Sequence, residues 1–222
     1  MRYLFAMGVY FNHLYTAVGR EIILCNSGLF VSGFFILSGL FTMNSYFSHP
    51  DWRRFAVRRM NRILPAYWMT ILICLLIGIF FTSLTFQQFL LHPETWKYAL
   101  ANSLFLNFLQ PTLPGVFTVN PLPHVNASLW FVKVILLCYL TVPFFYALMK
   151  RYRPAVVLSF IVGISLLCLI ATSELYIKYQ IPFLQKFNHQ FLCELPYFYI
   201  PVFFLLFPNW IRNHAKLIFF LL

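Results

Sequence analysis

Charge is scarce in this chain: of 222 residues only 9% are Asp, Glu, Lys or Arg, and only five are acidic. A water-soluble domain carries about 25% charged residues. A chain that is 61% hydrophobic, with a mean hydropathy of +0.78, would aggregate in water, and it reads as an integral membrane protein. Period-two alternation is missing too, which excludes barrel strands. The apolar runs are near the ~20 residues a helical span needs, and helices satisfy their own backbone polar groups in lipid. The predicted fold class is therefore all-α, a polytopic transmembrane helical bundle of about six complete spans plus a truncated seventh, with one short interfacial or re-entrant helix at 96–109.

Other absences narrow the function. The five cysteines, Cys25, Cys74, Cys138, Cys168 and Cys193, show no Cys-x-x-Cys spacing, so they read as small packing residues and not as disulfides or metal ligands. No histidine-rich zinc spacing, acid pair or glycine-rich phosphate loop occurs, and no metal is expected. Neither an inverted repeat of the transporter type nor a low-complexity stretch is present. The whole of 1–222 reads as one membrane domain. The first apolar run is followed by Arg20-Glu21 and not by a small-residue cleavage site, so it is expected to stay as a signal anchor. The last run ends six residues after Lys216, as a fragment missing at least one helix would.

What is present is a lopsided positive charge, +11 in net terms. In a soluble protein this would suggest nucleic acid; in a membrane protein its distribution decides its meaning. If the turn after Phe47 is cytoplasmic, eleven of the sixteen Lys and Arg fall inside, and four of the five acids fall outside, at Glu21, Glu94, Glu174 and Glu194. The expected placement is multi-pass in the plasma (inner) membrane with a cytoplasmic N-terminus, in contact with membrane lipids and with no nucleic-acid partner.

The densest charge lies between Gly33 and Trp68, where Arg53, Arg54, Arg58, Arg59 and Arg62 fall within ten residues. Arg58 and Arg62 are four apart and Arg59 and Arg62 three apart, so all three share one face of a short helix. Guanidinium groups so clustered make paired hydrogen bonds to phosphate oxygens. Topology and anionic-lipid contact account for two or three such arginines more comfortably than five.

Among the six histidines, His13 alone stands inside an apolar run. Eleven residues place it roughly 16 Å along the first helix from Arg2, where a charge costs about 2.5 kcal/mol or more. It is expected to be neutral or partnered, and is the leading functional candidate. Gly28, Ser32, Gly33, Ser38 and Gly39 give helix two, about Gly28 to Phe47, a small-residue face for close packing. Helix three is expected over about Leu64 to Leu84, and a loop with Pro111, Pro114, Pro121 and Pro123 follows the short 96–109 segment. His92 and His124 read as solvated loop residues. Ser128 or Asn126 would cap helix four, which runs to about Met149; Trp130 suits an interfacial belt, and Lys133 snorkels outward or faces a polar cavity. Helix five spans about 154–171, and helix six, about 191–207, is expected to kink or break at Pro196 and Pro201.

Taken together these features resemble the membrane acyltransferase-3 family, which includes O-antigen and exopolysaccharide O-acetyltransferases. The resemblance rests on Arg2 and His13 separated by ten residues, on Phe34-Phe35-Ile36-Leu37-Ser38-Gly39, on Arg58-Arg59-Met-Asn-Arg62-Ile63-Leu64-Pro65-Ala-Tyr-Trp68, and on Ser128-Leu129-Trp130 with Tyr139 and Pro143 downstream. It covers roughly the first 145 residues, in family order. Where many members carry a glutamate five residues after the tryptophan, this chain has Ile135, so no acid role carries over.

The resemblance implies transfer of an acyl group, usually acetyl from acetyl-CoA, to a hydroxyl of a glycan or lipid-linked saccharide at the outer face. His13 is then the general base, with Arg2 assisting. Arg58, Arg59 and Arg62 hold the phosphates of acyl-CoA, and Ser38, Gly39 and Trp130 line the substrate channel between the first helices. The competing readings are a transporter or flippase for an anionic or lipid-linked substrate, and a non-catalytic truncated homologue.

Overall fold

A computed structural model of the chain describes residues 2–17, 27–119, 124–126, 128–180 and 191–206. These form eight helices: α1 (Arg2–Ala17), α2 (Ser27–Ser48), α3 (Trp52–Phe81), α4 (Phe86–Leu91), α5 (Pro93–Ser103), α6 (Leu129–Arg151), α7 (Pro154–Tyr179) and α8 (Phe191–Leu206). The fold is an all-α membrane bundle. Helices α2, α3, α6 and α7 are long and apolar enough to cross a bilayer, and α8 is a shorter apolar helix. Cys25 and the expected seventh run lie outside the described residues. The chain divides into two compact units, Met1–Asp51 with Cys138–Leu222, and Trp52–Leu137, with α6 contributing to both.

The first unit is built around α8. Its buried residues, Glu194, Leu195, Phe198, Tyr199 and Val202, recur at helical spacing and define one face. On α2 the corresponding face is Phe35, Thr42, Met43 and Tyr46, with Gly39 in the middle. A Cβ at Gly39 would overlap the backbone carbonyl of Phe198, so glycine is what lets α2 and α8 touch backbone to backbone. Helix α6 joins through the Thr141 and Tyr199 hydroxyls, 2.8 Å apart, and through Phe145 set edge-on to Tyr199 at 4.7 Å. Tyr146 packs between Tyr46 and Phe47 at the far end of α2, with ring centroids 5.3 and 5.2 Å away.

Helix α8 was expected to kink or break at Pro196 and Pro201, yet it runs continuously through both. Proline lacks an N–H, so Pro196 leaves the carbonyl of Leu192, four residues earlier, without its helical donor. Ser165 Oγ of α7 donates to that same carbonyl at 2.6 Å. A neighbouring hydroxyl thus supplies the hydrogen bond that the proline removes, which is how spans tolerate proline in lipid.

In the second unit α3 is a single 30-residue helix containing Pro65. The sequence suggested a basic turn followed by a span starting near Leu64; instead the arginines occupy the first turns of the span itself. Thirty residues extend about 45 Å against a hydrocarbon core of ~30 Å. The arginines are gathered at its N-terminal end.

The segment expected at 96–109 as an interfacial or re-entrant helix forms one arm of a hairpin packed along α3. After α3 the chain forms α4, closed by a reciprocal capping box between Thr85 and Gln88. Helix α5 follows, its N-terminus capped by His92, whose Nδ1 accepts from the Glu94 N–H at 3.3 Å; His92 therefore has a structural task beyond solvation. Helix α5 then descends antiparallel to α3. The Tyr98 hydroxyl lies against the Cys74 thiol, the Tyr67 hydroxyl donates to the Asn102 carbonyl at 2.7 Å, and Trp68 Nε1 donates to the Ser103 carbonyl at 3.4 Å. The chain turns at 104–109 and climbs back. Thr82 Oγ1 donates to the Pro114 carbonyl at 2.8 Å, and the Ser83 N–H donates to the Gly115 carbonyl at 3.0 Å. From Thr82 to Tyr67 is fifteen residues, so the hairpin reaches about 22 Å along α3.

Irregular backbone at that depth must be satisfied internally. Asn102 Nδ2 donates to the Tyr98 and Gln110 carbonyls at 2.8 and 3.1 Å, and Gln110 Nε2 donates to the Thr112 carbonyl at 3.0 Å. Phe105 turns the chain with a left-handed φ of 62°, a strained choice for a bulky residue. Its ring stacks on Tyr67 at 4.6 Å, a contact of the kind worth about 0.5–1.5 kcal/mol beyond burial.

Two substitutions test this packing. Ser165→Ala strands the Leu192 carbonyl, and is expected to cost about 1–3 kcal/mol, read as a lower midpoint in a thermal melt of the detergent-solubilised protein; Ser165→Thr should retain most of the stability. Gly39→Val should cost at least the ~1–3 kcal/mol of ordinary overpacking, because backbone must move. Gly163→Ala on α7, where nothing lies within 4 Å of the added methyl, should leave the same melt unchanged or slightly raised.

Candidate active site

The basic end of α3 has a definite pattern. Arg54, Arg58 and Arg62 recur every four residues and form one row, and the Arg58 Nε donates to the Arg54 carbonyl at 3.2 Å. Arg59 lies beside the row, its guanidinium over the ring of buried Phe55 at 5.4 Å. Arg58 and Arg62 are exposed, and Arg59 is half-buried. Arg53 points elsewhere, over Trp52 at 5.5 Å. Like charges on successive turns repel by about 0.2–0.5 kcal/mol per pair, so such a row is an arrangement suited to an anion. Arg54 and Phe55 were not singled out from the sequence; the four-residue step back from Arg58 was the available signal.

His13 is on α1, in the other unit. That helix packs on α2 through Phe5, whose ring meets Phe30 at 6.3 Å and Phe34 at 5.8 Å. Gly8 and Gly33 make the approach possible: a Cβ at Gly8 would come within 2.5 Å of the Phe30 ring, and one at Gly33 within 2.8 Å of Phe5. Phe5, Gly8 and Asn12 follow helical spacing along this contact, and His13, one residue past it, is exposed. Arg2 opens α1, and its side chain lies outside the described residues. Ser38 is half-buried beside Gly39, which is itself occupied by the contact with Phe198; here the small pair works as a helix crossing. Trp130 is half-buried in the first turn of α6, edge-on to Phe131 at 6.2 Å. The described structure thus groups Arg58, Arg59 and Arg62 on one helix, and Ser38 with Gly39 on another.

Three groups carry more weight than their sequence context suggested. Lys133 does not simply snorkel: its ammonium is held 5.2 Å from the Phe108 ring. Glu194, counted among the outer acids, is buried in α8, close enough to Cys138 and Cys193 to act on both thiols. Asn102, unremarked in the sequence, pins the hairpin. Ahead of α6, Asn126 Oδ1 accepts from the Ser128 N–H at 3.0 Å, a turn preceding the helix.

The described residues thus form a polytopic helical bundle with a guanidinium row at one helix end and an exposed histidine on another helix. The particular class is given by a family model, the acyltransferase-3 family's "Acyltransferase domain", which matches residues 1–222. The chain belongs to that family and is a multi-pass membrane acyltransferase. No curated protein and no solved structure matches it.

The seating of α1 can be tested through its glycine. Gly8→Val should displace the helix from α2 and lower acyl transfer about tenfold or more, as small misplacements of catalytic groups do, without loss of membrane insertion. Phe30→Ala, which removes the obstructing ring, should restore much of the rate in the double variant. A Gly8→Val protein of full activity would show that the α1 position does not matter.

Proposed function

We propose that the protein is an O-acyltransferase of the plasma (inner) membrane, N-terminus cytoplasmic, that moves an acetyl group from acetyl-CoA to a hydroxyl of a cell-surface glycan or lipid-linked saccharide. The observation that carries this reading is the row of guanidinium groups at the N-terminal end of α3, in a chain of the acyltransferase-3 family. Acyl-CoA is a cytoplasmic polyphosphate, and paired guanidinium hydrogen bonds to phosphate oxygens fit it.

His13 serves as general base. Its imidazole takes the proton of the acceptor hydroxyl as the oxygen attacks the thioester carbonyl, the general-base role that histidine most often fills. Collapse of the tetrahedral intermediate breaks the C–S bond, the ester remains on the acceptor, and the imidazolium returns its proton to the departing CoA thiolate. Arg59 and Arg62, with Arg58 assisting, hold the donor phosphates, and Arg2 assists at the start of α1. Ser38 is assigned to the wall of the route taken by substrate, while Gly39 beside it holds the crossing of α2 with α8.

The test uses membranes containing the protein, radiolabelled acetyl-CoA and cell-surface glycan, with alkali-labile label on sugar as the readout. His13→Ala should abolish labelling while leaving insertion intact, and retained labelling would sink the base assignment. Arg59→Gln with Arg62→Gln should weaken acetyl-CoA binding about tenfold or more and reduce its sensitivity to salt; unchanged affinity would return the row to a topological role.

A further inference from the structure

Arg54 is outside the set of arginines given to the donor, yet it stands in the same row. Arg54, Arg58 and Arg62 are all exposed and recur every four residues, so neighbours in the row are about 6 Å apart along α3 and its two ends about 12 Å. Side chains on a helix tilt toward its N-terminus. Arg54, in the first turn of α3, therefore reaches away from Arg62 and beyond the rest of the row. Arg58 spends one N–H donor on the Arg54 carbonyl at 3.2 Å, which lays its side chain back beside Arg54 and keeps the rest of its guanidinium for a ligand. Arg53, adjacent in sequence and equal in charge, is turned about 100° around the helix from Arg54, with its guanidinium over Trp52.

We infer that Arg54 is a specificity-determining residue: it binds a second phosphate of the donor, remote from the diphosphate that Arg58, Arg59 and Arg62 hold. In a coenzyme A thioester that second phosphate is the one on the ribose 3′ oxygen. This rests on the acyl-CoA reading and deepens it, because it separates a full coenzyme A donor from simpler diphosphates. A diphosphate is a compact pair of anionic groups, and guanidinium groups one turn apart suffice to clasp it. The 3′-phosphate of coenzyme A branches from the ribose, so the ligand presents two anionic groups with a sugar between them. A row whose middle member is fixed to the turn before it offers a station for each. Like charges on successive turns repel when nothing lies between them, and a ligand with separated phosphates relieves both intervals of the row at once. A single anionic headgroup would be met by any two neighbours in the row and would give Arg54 no distinct part.

The experiment uses the full chain in nanodiscs of phosphatidylcholine at fixed ionic strength and compares equilibrium binding of coenzyme A with that of 3′-dephospho-coenzyme A by isothermal titration calorimetry. The unmodified protein should bind coenzyme A about three- to tenfold more tightly, the order of one charge-assisted contact at an exposed site; this comparison needs no variant to fold. Arg54→Gln should bring coenzyme A down to the level of the dephospho form and leave the dephospho form as it was. Arg54→Lys should keep part of the preference, since the charge remains while the paired hydrogen bonds are lost. Arg53→Gln removes the same charge one position away and should leave the preference intact. An Arg54→Gln protein that keeps the preference, an equal loss for both ligands in that variant, or the same loss of preference in Arg53→Gln overturns the assignment. The two readings also fail differently. Binding of both ligands without preference by the unmodified protein removes Arg54 from the site and leaves acyl-CoA as the donor, whereas binding of neither takes the donor reading and this one down together.

Discussion

The constraint on which this structure depends is that lipid offers no hydrogen bonds, so every backbone N–H and C=O at depth must find its partner in protein. Most of the chain meets it by being helical. At two of the places where it is not automatically met, side chains intervene. At Pro196 the orphaned Leu192 carbonyl is taken up by Ser165, which ties α7 to α8 at the position where α8 would otherwise be weakest. At the hairpin of 104–116, Asn102, Gln110, Tyr67 and Thr82 divide the task. Because the donors are fixed by α3 and α5, the irregular segment inherits the rigidity of the helices beside it.

The same economy shapes the basic end of α3. Were the arginines on a flexible turn, each would choose its own direction. On a continuous helix their angular positions are set by residue number, and Arg54, Arg58 and Arg62 must project from one side. Pro65 falls just after the row, so the helix that carries the charge and the helix that crosses the bilayer are one rod. Anchoring of Arg59 over Phe55 restricts that side chain further, and a guanidinium already held in place loses less entropy on meeting a phosphate.

How much of this was legible in the sequence follows from the range over which each feature acts. The shared face of Arg58, Arg59 and Arg62 depends only on spacings of three and four, and the packing role of Gly39 only on its small size in an apolar run, so both could be read directly. The continuity of the short arginine-bearing helix with the span was masked by Pro65, which looks like a boundary until it proves to sit inside the helix. The pairing of Tyr67 with Asn102 joins residues 35 apart, and nothing local marks it; hence the 96–109 segment could be narrowed to interfacial or re-entrant but not decided. Lys133 had two local readings, and neither contained its contact with Phe108, 25 residues away. The Ser165 contribution was hidden for the same reason, since the proline is visible in sequence and its remedy lies 31 residues away on another helix.

Charge scarcity gives the remaining ionisable groups their meaning. Among the described residues, His13 on α1, Lys133 in the second turn of α6 and Glu194 in the first turn of α8 are groups set against apolar runs that can carry charge on a side chain other than thiol or phenol. Each costs about 2–3 kcal/mol in a span when charged, a large fraction of a stability margin of ~5–15 kcal/mol. A leucine at any of the three positions would insert more readily, and packing alone gives no reason to prefer an imidazole, an ammonium or a carboxyl there. A site that exchanges protons and binds anions does give such a reason. Retaining these groups lowers stability in return for chemistry, as active sites commonly do. By this measure His13 and Lys133 are where the chain places polar chemistry within its apolar helices, whereas Glu194, enclosed by the buried face of α8, lies within the core of the unit that carries His13.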